Sequence, residues 1–415
     1  MGLLKKKLDD KYGKLAIVPQ GSVSEAVACP TGITLLDYYT ATVCESKVTN
    51  DNYEKGEEFL SFGLPMGKIT LLIGNSGGGK TTAAFQIAHN MTAPYNGDII
   101  NLDFERQKSN LYARLKQTTG MTREEFEESV TVYSHLTMST EFLKELIFEI
   151  KEMKEKLPVK DMIDWTDLDG RPIKIYPPTV IILDSIPNMK PAEVLSDKKL
   201  DSNMLYGKMS LANGALIKTI LGILEAYNIT ILAINHITAN IVTNAYATKK
   251  VILPGLPEDE NIPGGKEWIY NASAVIRFTS GAELKKEKTY TDGRMTDVRI
   301  LKTRTGFNNI RQKWVLDAKT GFNEAFTLFE YAKENGIITG TGRGYSFKNN
   351  PLDKFTAKTF SELFNTNEEF KEAFMENVEE KLLEFVEHKY SDDYSSSEDD
   401  ADQVLSEEFD DDEDD

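Results

Sequence analysis

The segment Ile69–Asn90, which reads ITLLIGNSGGGKTTAAFQIAHN, constrains the fold of this chain more than any other. It opens with an apolar run, passes through a glycine-rich turn and ends in a pattern that favours a helix. An apolar run without polar alternation suits a strand covered on both faces, which is typical of parallel sheets between helices. The segment therefore predicts an α/β fold built from strand, turn and helix units.

Similar apolar runs recur along the chain. They predict strands at Ile69–Ile73, Asp98–Leu102, Thr179–Leu183, Thr230–Ile234, Ala274–Phe278, Arg299–Leu301 and Gln312–Leu316. Between two of them, Met204–Tyr227 carries apolar residues at helical spacing and predicts a crossover helix. We expect an α/β core with a largely parallel central sheet flanked by helices.

The chain divides into four expected parts. Residues 1–62 form an N-terminal oligomerisation segment, and residues 63–332 form the α/β core. Residues 333–390 form a small α-rich domain, because Phe355–Glu387 repeats Phe, Leu and Glu at three- and four-residue spacing. Residues 391–415 form an acidic tail.

The tail accounts for most of the net charge. The whole chain carries −18, and the tail holds 14 Asp or Glu and no Lys or Arg, which leaves −4 for residues 1–390. A run of like charges repels itself and stays solvated, so we expect disorder. The tail then either keeps the protein soluble or competes with a polyanionic ligand for a basic groove.

Composition also bears on the compartment. The sequence has no apolar run of 18 residues, and its first residues lack the pattern of a secretory leader. Cys29 and Cys44 are too few and too isolated for a disulfide framework or a zinc site. A soluble protein of a reducing cytoplasm is the expectation.

The glycine-rich turn has the pattern of a phosphate-binding loop. Its residues Gly74, Asn75, Ser76, Gly77, Gly78, Gly79, Lys80 and Thr81, followed by Thr82, match G-x-x-x-x-G-K-[ST] between a strand and a helix. In such a loop the backbone N–H groups and the helix N-terminus bind phosphate, the lysine contacts the β- and γ-phosphates, and the threonine hydroxyl binds Mg²⁺. The segment predicts a site for ATP and Mg²⁺.

Two carboxylates follow predicted strands and are candidates for hydrolysis. Asp184 ends the strand TVIILD and is the expected second metal ligand, although aspartate at a strand end is also a common turn former. Glu105 comes two residues after the strand ending at Asp103 and is the candidate base for the attacking water. The alternative for Glu105 is a surface ion pair.

Asn235 and His236 end a further apolar strand, TILAI. A polar side chain there could sense the γ-phosphate by donating a hydrogen bond that a diphosphate cannot accept. We favour His236 as this sensor; the alternative is that Asn235 caps a turn.

Several motifs together resemble the RecA family of recombinases, and in particular the bacteriophage recombinases of the UvsX type. The resemblance lies in the following segments: PTGITLLD at Pro30–Asp37, GLPMGK at Gly63–Lys68, LDFE at Leu102–Glu105, INH at Ile234–His236, PGGKEWIYNAS at Pro263–Ser273 and GYSFK at Gly344–Lys348. It implies a RecA-like P-loop NTPase core. It also implies that the protein acts in the cytoplasm of a bacterium or of a phage-infected host cell. Two stretches, Val43–Leu60 and Asp161–Pro178, depart from the family pattern as insertions.

The resemblance implies two DNA-binding loops, at about Asn188–Ser202 and Ile237–Gly264. Both loops are expected to be irregular, and the lysines expected to contact DNA phosphates are Lys190, Lys198, Lys199, Lys249 and Lys250. Ordinary surface loops are the alternative. The family also implies that Lys302 and Arg304, which lie two apart on a strand, contact the γ-phosphate of a neighbouring subunit. A plain surface basic pair is the alternative there.

The function implied is an ATP-dependent DNA recombinase that forms filaments on single-stranded DNA and exchanges it with double-stranded DNA. Its expected partners are DNA, further copies of the chain, a single-strand-binding protein and a loading mediator. A replicative helicase with the same core and a non-catalytic recombination mediator remain alternatives. The short, irregular N-terminal segment disfavours the helicase, and the presence of Lys80, Glu105 and Asp184 disfavours the mediator.

Overall fold

A computed structural model describes most of the chain. The described residues are 28–45, 58–104, 111–134, 138–166, 172–196, 202–239, 253–284, 293–304, 308–317, 319–341, 344–348 and 354–390. The predicted acidic tail, Glu105 and most of the N-terminal segment lie outside these ranges.

Nineteen strands occur in the described residues. Their bounds are β1 Ala28–Cys29, β2 Thr42–Glu45, β3 Glu58–Ser61, β4 Leu64–Pro65, β5 Ile69–Gly74, β6 Asp98–Asp103, β7 Val130–Tyr133, β8 Ile163–Thr166, β9 Pro172–Ile175, β10 Thr179–Asp184, β11 Ile229–His236, β12 Thr238–Ala239, β13 Glu260–Asn261, β14 Ala274–Leu284, β15 Gly293–Thr303, β16 Ile310–Asp317, β17 Gly321–Phe322, β18 Ile338–Thr341 and β19 Gly344–Phe347.

Eleven α-helices occur in the same residues. Their bounds are α1 Thr34–Tyr39, α2 Lys80–Thr92, α3 Leu111–Thr119, α4 Arg123–Ser129, α5 Thr140–Glu155, α6 Ala192–Ser196, α7 Ser202–Ala226, α8 Lys266–Asn271, α9 Glu324–Glu334, α10 Ala357–Thr366 and α11 Glu368–Tyr390. Short 3₁₀ helices lie at Ala93–Tyr95, Val159–Asp161 and Ile186–Asn188.

The central sheet has nine strands in the order β17-β16-β15-β14-β5-β11-β10-β6-β7. In this order, each neighbouring pair from β14 through β5, β11, β10 and β6 to β7 is parallel, which confirms the predicted largely parallel core. From β14 through β17 the pairing is antiparallel. The seven predicted strands are all present, but β14 and β15 are longer than predicted because they continue as a hairpin beyond the apolar runs.

Each face of the sheet packs on its own layer of helices. Leu72 contributes to one apolar cluster with Phe85 of α2, whereas Leu71 contributes to a second cluster with Leu216 of α7. Successive strand residues point to opposite faces, so an apolar run such as ITLLI supplies both layers at once. This two-sided burial is the physical reason that the run has no polar alternation.

The predicted crossover helix is confirmed as α7. By length and composition, its part Gly207–Ala226 could also cross a membrane. However, Leu216, Ile217, Ile220 and Leu224 are all nearly inaccessible to solvent, in the cluster beneath the sheet. This is the environment of a core helix in an α/β layer.

The predicted C-terminal helices are present as α10 and α11, after the hairpin β18–β19. Their phenylalanines join the apolar cluster of the core, with the rings of Phe329 and Phe360 at 4.9 Å and those of Tyr39 and Phe385 at 5.0 Å. Helix α9 crosses residue 333, where the sequence places a domain boundary. The four-part division of the chain stays a prediction.

The described parts of both predicted insertions are β-hairpins. In the first, β2 pairs with β3, and in the second, β8 pairs with β9. The second hairpin packs on the core through the ring of Trp165, which meets the ring of Tyr95 edge-on at 5.2 Å. Both hairpins add to the fold without interrupting the order of the central strands.

Candidate nucleotide-binding site

The predicted phosphate loop lies at the carboxyl edge of the parallel strands. β5 ends at Gly74, and α2 begins at Lys80. In register, Gly74 pairs with His236 on β11 and with Phe278 on β14. The loop therefore leaves the sheet between two strand ends, and the first backbone N–H groups of α2 lie beside it.

Glycine is required in the loop for two separate reasons. Gly74 has φ of 143°, and a Cβ there would lie 2.0 Å from the carbonyl oxygen of Phe278. Gly79 has φ of 91°, and a Cβ there would lie 2.8 Å from the ring of Phe322. Both the backbone conformation and the close approach of neighbouring strands exclude a side chain.

Lys80 is only 5% exposed. Its Nζ donates to the carbonyl oxygens of Gly74, at 2.8 Å, and Asn75, at 2.7 Å. The ammonium is thus held inside the curve of the loop, where the sequence places it for contact with phosphate. Its charge and that of the helix N-terminus both favour an anion at this point.

Thr81 and Asp184 meet across the sheet edge. The Thr81 hydroxyl Oγ1 donates to Oδ2 of Asp184 at 2.9 Å, and Asp184 ends β10 as predicted. A carboxylate and a hydroxyl are hard oxygen ligands of the kind that Mg²⁺ prefers. This pair therefore fits a magnesium ion next to a phosphate bound in the loop.

Glu105 lies outside the described residues, but the two residues before it, Asp103 and Phe104, are placed. The N–H of Phe104 donates to the carbonyl oxygen of Asp184 at 2.8 Å, and Asp103 pairs in register with Asp184. The main chain one residue before Glu105 is thus fixed beside the proposed metal ligand. The role of Glu105 as the base stays a prediction.

His236 and Asn235 have different surroundings. His236 is half-buried and pairs in register with Gly74, the first residue of the phosphate loop. Asn235 is fully buried, and its Nδ2 donates to the carbonyl oxygen of Pro263 at 2.7 Å. Asn235 thus holds the end of the second predicted DNA loop, and the sensor role of His236 stays a prediction.

The glycine pair after Pro263 is packed against the nucleotide edge. A Cβ on Gly264 would lie 2.6 Å from the side chain of Ile186, which is two residues after Asp184 in the chain. The carbonyl oxygen of Gly264 accepts a hydrogen bond from Asn213 of α7 at 2.8 Å. The bases of both predicted DNA loops are therefore in contact with each other.

The two predicted loops are only partly described. The first is not wholly irregular, since it contains α6 and ends where α7 begins at Ser202. Lys190 is half-buried, and its carbonyl oxygen accepts from the N–H of Thr140. The other four lysines expected to contact DNA, Lys198, Lys199, Lys249 and Lys250, lie outside the described residues.

The second predicted loop has an ordered base. β12 and β13 pair at the two ends of the segment, with Thr238 opposite Asn261. Glu260 forms an ion pair with Arg277 of β14 at 2.6 Å, and both side chains are largely buried. A strand pair and an ion pair thus join this loop to the central sheet.

Lys302 and Arg304 lie at the opposite edge of the sheet from the phosphate loop. Lys302 pairs in register with Val275, near the start of β14. Its Nζ donates to the carbonyl oxygens of Ile269 and Tyr270, and Arg304 also donates to Tyr270. Both cations thus bind the C-terminal end of α8, where the helix dipole favours positive charge. Burial, and secondarily the charge of Arg304, lowers the pKa of Lys302.

Sequence reasoning missed a cavity of about 870 Å³ beside the phosphate loop. It is lined by Gly77, Thr82, Ala113, Arg114, Gln117, Thr118, Glu283, Leu284, Gly293, Arg294, Leu316, Asp317, Lys319 and Gly321. These residues come from the phosphate loop and α2, from α3, from β14 and β15, and from the end of β16, the turn after it and β17. No local pattern marks them, because only the packing of distant segments forms the cavity.

Comparison with known proteins gives a match to part of the chain. A family model described as an AAA domain matches residues 60–240, which contain the phosphate loop and the strands from β5 to β11. No curated protein matches the chain. Among solved structures, a KaiC-like protein from hyperthermophilic archaea Pyrococcus horikoshii OT3 is 16% identical, with a TM-score of 0.37 over 63% of this chain and 90% of that one.

The sheet order, the phosphate loop and the domain match agree with one another. Helices cover both faces of a mostly parallel sheet, the loop joins β5 to α2, and the matched segment includes both. The chain has an α/β fold of the P-loop type, with a mostly parallel central sheet flanked by helices.

Proposed function

We propose that this protein is an ATP-dependent DNA recombinase. It forms helical filaments on single-stranded DNA and promotes homologous pairing and strand exchange with double-stranded DNA, with hydrolysis of ATP stimulated by DNA. Its motifs resemble those of the UvsX-type strand-exchange proteins, and its proposed place of action is the cytoplasm.

Residues at the carboxyl edge of the parallel strands support the proposed binding and hydrolysis of ATP. Lys80 lies within the curve of the loop, and the Thr81–Asp184 pair supplies oxygen ligands next to it. Thr81 and Asp184 would hold Mg²⁺, which would supply positive charge against the phosphates. Glu105 is the residue after Phe104 in the chain, and in this proposal it accepts a proton from the attacking water.

The DNA part rests on one observation, the contact between the two loop bases and the nucleotide edge. Asn235, next to the predicted sensor His236, bonds to Pro263, and Gly264 packs on Ile186, two residues beyond Asp184. A shift of the strand ends on γ-phosphate binding would therefore move both loops. ATP would favour the loop arrangement that binds DNA, and DNA would favour the nucleotide state that binds ATP.

The position of Lys302 and Arg304 supports action between subunits. Along β15, Lys302 lies roughly 26 Å from Arg294 at about 3.3 Å per residue, and Arg294 is next to the phosphate loop. The pair therefore cannot reach the nucleotide of its own subunit. In a filament the pair would contact the nucleotide of the next subunit, which would make hydrolysis depend on assembly.

A strand-exchange assay with ATP tests the proposal, comparing the wild type with Lys80→Ala. Lys160→Ala is the matched control, because Lys160 is an exposed lysine in a short 3₁₀ helix at the start of the second inserted segment, away from the phosphate loop in the chain. We expect exchange by the wild type and the control, and none by Lys80→Ala. Absence of exchange by a wild type that hydrolyses ATP would refute the recombinase assignment.

Electron microscopy with ATP and single-stranded DNA separates the alternatives. Helical filaments support the recombinase, and closed rings would instead indicate a replicative helicase built on the same core. Filaments that need ATP to form but do not hydrolyse it, with or without DNA, would indicate a non-catalytic mediator.

A further inference from the structure

Arg294 contacts the phosphate loop from a strand that is far away in sequence. Its Nη1 donates to the carbonyl oxygen of Gly77 at 3.3 Å and to the hydroxyl of Ser280 at 2.7 Å. Gly77 and Arg294 are separated by 217 residues. The contact forms because β14 pairs with β5 and continues past the sheet edge, which carries the β14–β15 hairpin over the loop.

The sheet order gives a direction to a nucleotide bound in the loop. β5 lies between β11 and β14. On the β11 side are Asp184 and His236, the residues proposed to act at the γ-phosphate. On the β14 side is the cavity of about 870 Å³, which is lined by Gly77 and Thr82 among others and has the volume of a site for a small molecule such as a nucleoside. The triphosphate therefore ends toward β10 and β11, and the sugar and base extend into the cavity.

Arg294 lines this cavity, and so does the Gly77 that it contacts. Its side chain is half-buried. Within the described residues, both of its hydrogen bonds start from Nη1, whereas a guanidinium also carries donors on Nη2 and Nε in a fixed planar fork. Arg294 can thus hold the loop with one nitrogen and present the others, or the face of the guanidinium, to a ligand.

The charges around the cavity agree with this arrangement. Arg114 and Lys319 also line it, opposed by Glu283 and Asp317, so the walls are mixed in charge. Glu283 pairs in register with Arg294 across the hairpin. A mixed lining suits the polar, uncharged sugar and base of a nucleotide better than it suits a second phosphate chain.

We propose that Arg294 is a positioning residue for the nucleoside half of the nucleotide. It joins the Gly77 carbonyl of the phosphate loop to the sugar and base of the bound ATP or ADP, and so sets where the nucleoside lies relative to the phosphates. The inference rests on the proposed binding of ATP, and it adds a residue of the same subunit to that site.

Calorimetric titration of Arg294→Met with ATP, ADP and inorganic tripolyphosphate tests this inference. We expect ATP and ADP to bind about tenfold more weakly than to the wild type, because a hydrogen bond from a charged group is lost. Tripolyphosphate has no nucleoside, so its affinity should change by less than about twofold. Arg294→Lys, which keeps the charge but not the planar fork, should weaken nucleotide binding by an intermediate factor.

Arg311→Met is the matched control, since Arg311 lies on β16 and pairs with Asp297 at the surface. It should leave all three affinities unchanged. Equal losses for ATP and tripolyphosphate would show that Arg294 acts only through the loop and would overturn the inference, as would unchanged ATP binding. Thermal unfolding of each variant checks that the fold is retained. If Arg294→Met is unstable, the affinities of Arg294→Lys for ATP and tripolyphosphate decide the test.

Measurements on the wild type distinguish a failure of the proposed ATP site from a failure of the Arg294 assignment. If it binds no ATP, the nucleotide site itself is wrong, and Arg294 with it. If the wild type binds ATP and Lys80→Ala does not, while Arg294→Met binds normally, only the assignment of Arg294 is wrong.

Discussion

Oγ1 of Thr81 lies 2.9 Å from Oδ2 of Asp184, although 103 residues separate them in the chain. The two are brought together because β5 and β10 are parallel strands of one sheet with only β11 between them. Parallel strands bring the residues that follow their carboxyl ends to one edge. The site is therefore a consequence of the strand order.

Asp184→Asn should remove the magnesium dependence of nucleotide binding. The amide keeps the shape and can still accept from Thr81, but it lacks the charge that holds a divalent ion. We expect ATP hydrolysis to fall about 100-fold, the scale of losing one group that stabilises charge in the transition state. Nucleotide affinity and the rate of ATP hydrolysis, each measured across a magnesium titration, test the two expectations. Asp164→Asn, at an exposed ion pair with Lys174, is the control.

Glu105→Gln should separate binding from hydrolysis. The amide cannot accept the proton of the attacking water, so the rate of hydrolysis should fall by about 100-fold or more. ATP affinity should stay near that of the wild type, because the loop and Lys80 are intact. Single-turnover hydrolysis and equilibrium binding measure the two quantities. An unchanged rate would show that another group is the base.

The double variant Lys302→Ala, Arg304→Ala should bind ATP normally and hydrolyse it slowly. Its loop is intact, but it offers no basic pair to the next subunit. Mixing it with Glu105→Gln is the decisive measurement. Some interfaces then combine an intact Glu105 with an intact basic pair, so DNA-stimulated ATPase activity should rise above that of either variant alone. Failure of the mixture to recover activity would leave the pair as a cap on α8.

Gly74→Ala should destabilise the fold itself. A Cβ there would lie 2.0 Å from a main-chain oxygen on β14, at a φ of 143° that side chains avoid. We expect a loss of about 3 kcal/mol in the free energy of unfolding. Gly222→Ala is the matched control, since Gly222 is exposed in α7 with nothing near its added Cβ. That change should stabilise slightly, by up to about 1 kcal/mol. Urea denaturation measures both.

The buried carboxyl of Asp37 should make stability depend on pH. It accepts from the N–H and hydroxyl of Thr31, at 2.7 and 2.6 Å, and from Gly32. Burial is the main cause that raises the pKa of Asp37 to about 7, and the neighbouring Glu324 adds to it. The folded state therefore binds a proton more tightly than the unfolded state, where the pKa is near 3.8.

The contribution of Asp37 to stability should therefore fall as pH rises from about 4 to 7. The stability contributed by the raised pKa is complete below about pH 4 and is lost as pH rises toward 7. Asp37→Asn removes the titration, so the stability of this variant relative to the wild type should improve between pH 4 and 7. The expected change is a few kcal/mol, at about 1.4 kcal/mol per pKa unit. Thermal unfolding of both proteins across this range measures it, and a constant difference between them would contradict it.

The carboxylate of Asp37 also explains the PTG segment near the start of the core. Its hydrogen bonds hold the turn at Thr31 and Gly32, while Glu324 accepts from the N–H of Thr34 at 2.9 Å. The sequence alone marks this segment only by resemblance. Glu324 is 290 residues away from Thr34, and no spacing rule connects them.

The phosphate loop, the apolar strands and the candidate Asp184 could be predicted from sequence because each depends on a local pattern. Glycines, an apolar run and the start of a helix lie within one segment, and side chains that follow parallel strands share an edge. The same reasoning predicted the crossover helix α7 to within two residues at each end.

Only the tertiary structure decided the partners of residues that are distant in sequence. The antiparallel strands β15 and β16 place Arg294 over Gly77 and Lys302 at the far edge, although both basic residues lie on one strand. The direction in which a strand pairs is set by packing across the whole sheet. The sequence by itself therefore determined an α/β core with the pattern of a phosphate loop, and tertiary packing decided which basic residue lies beside that loop.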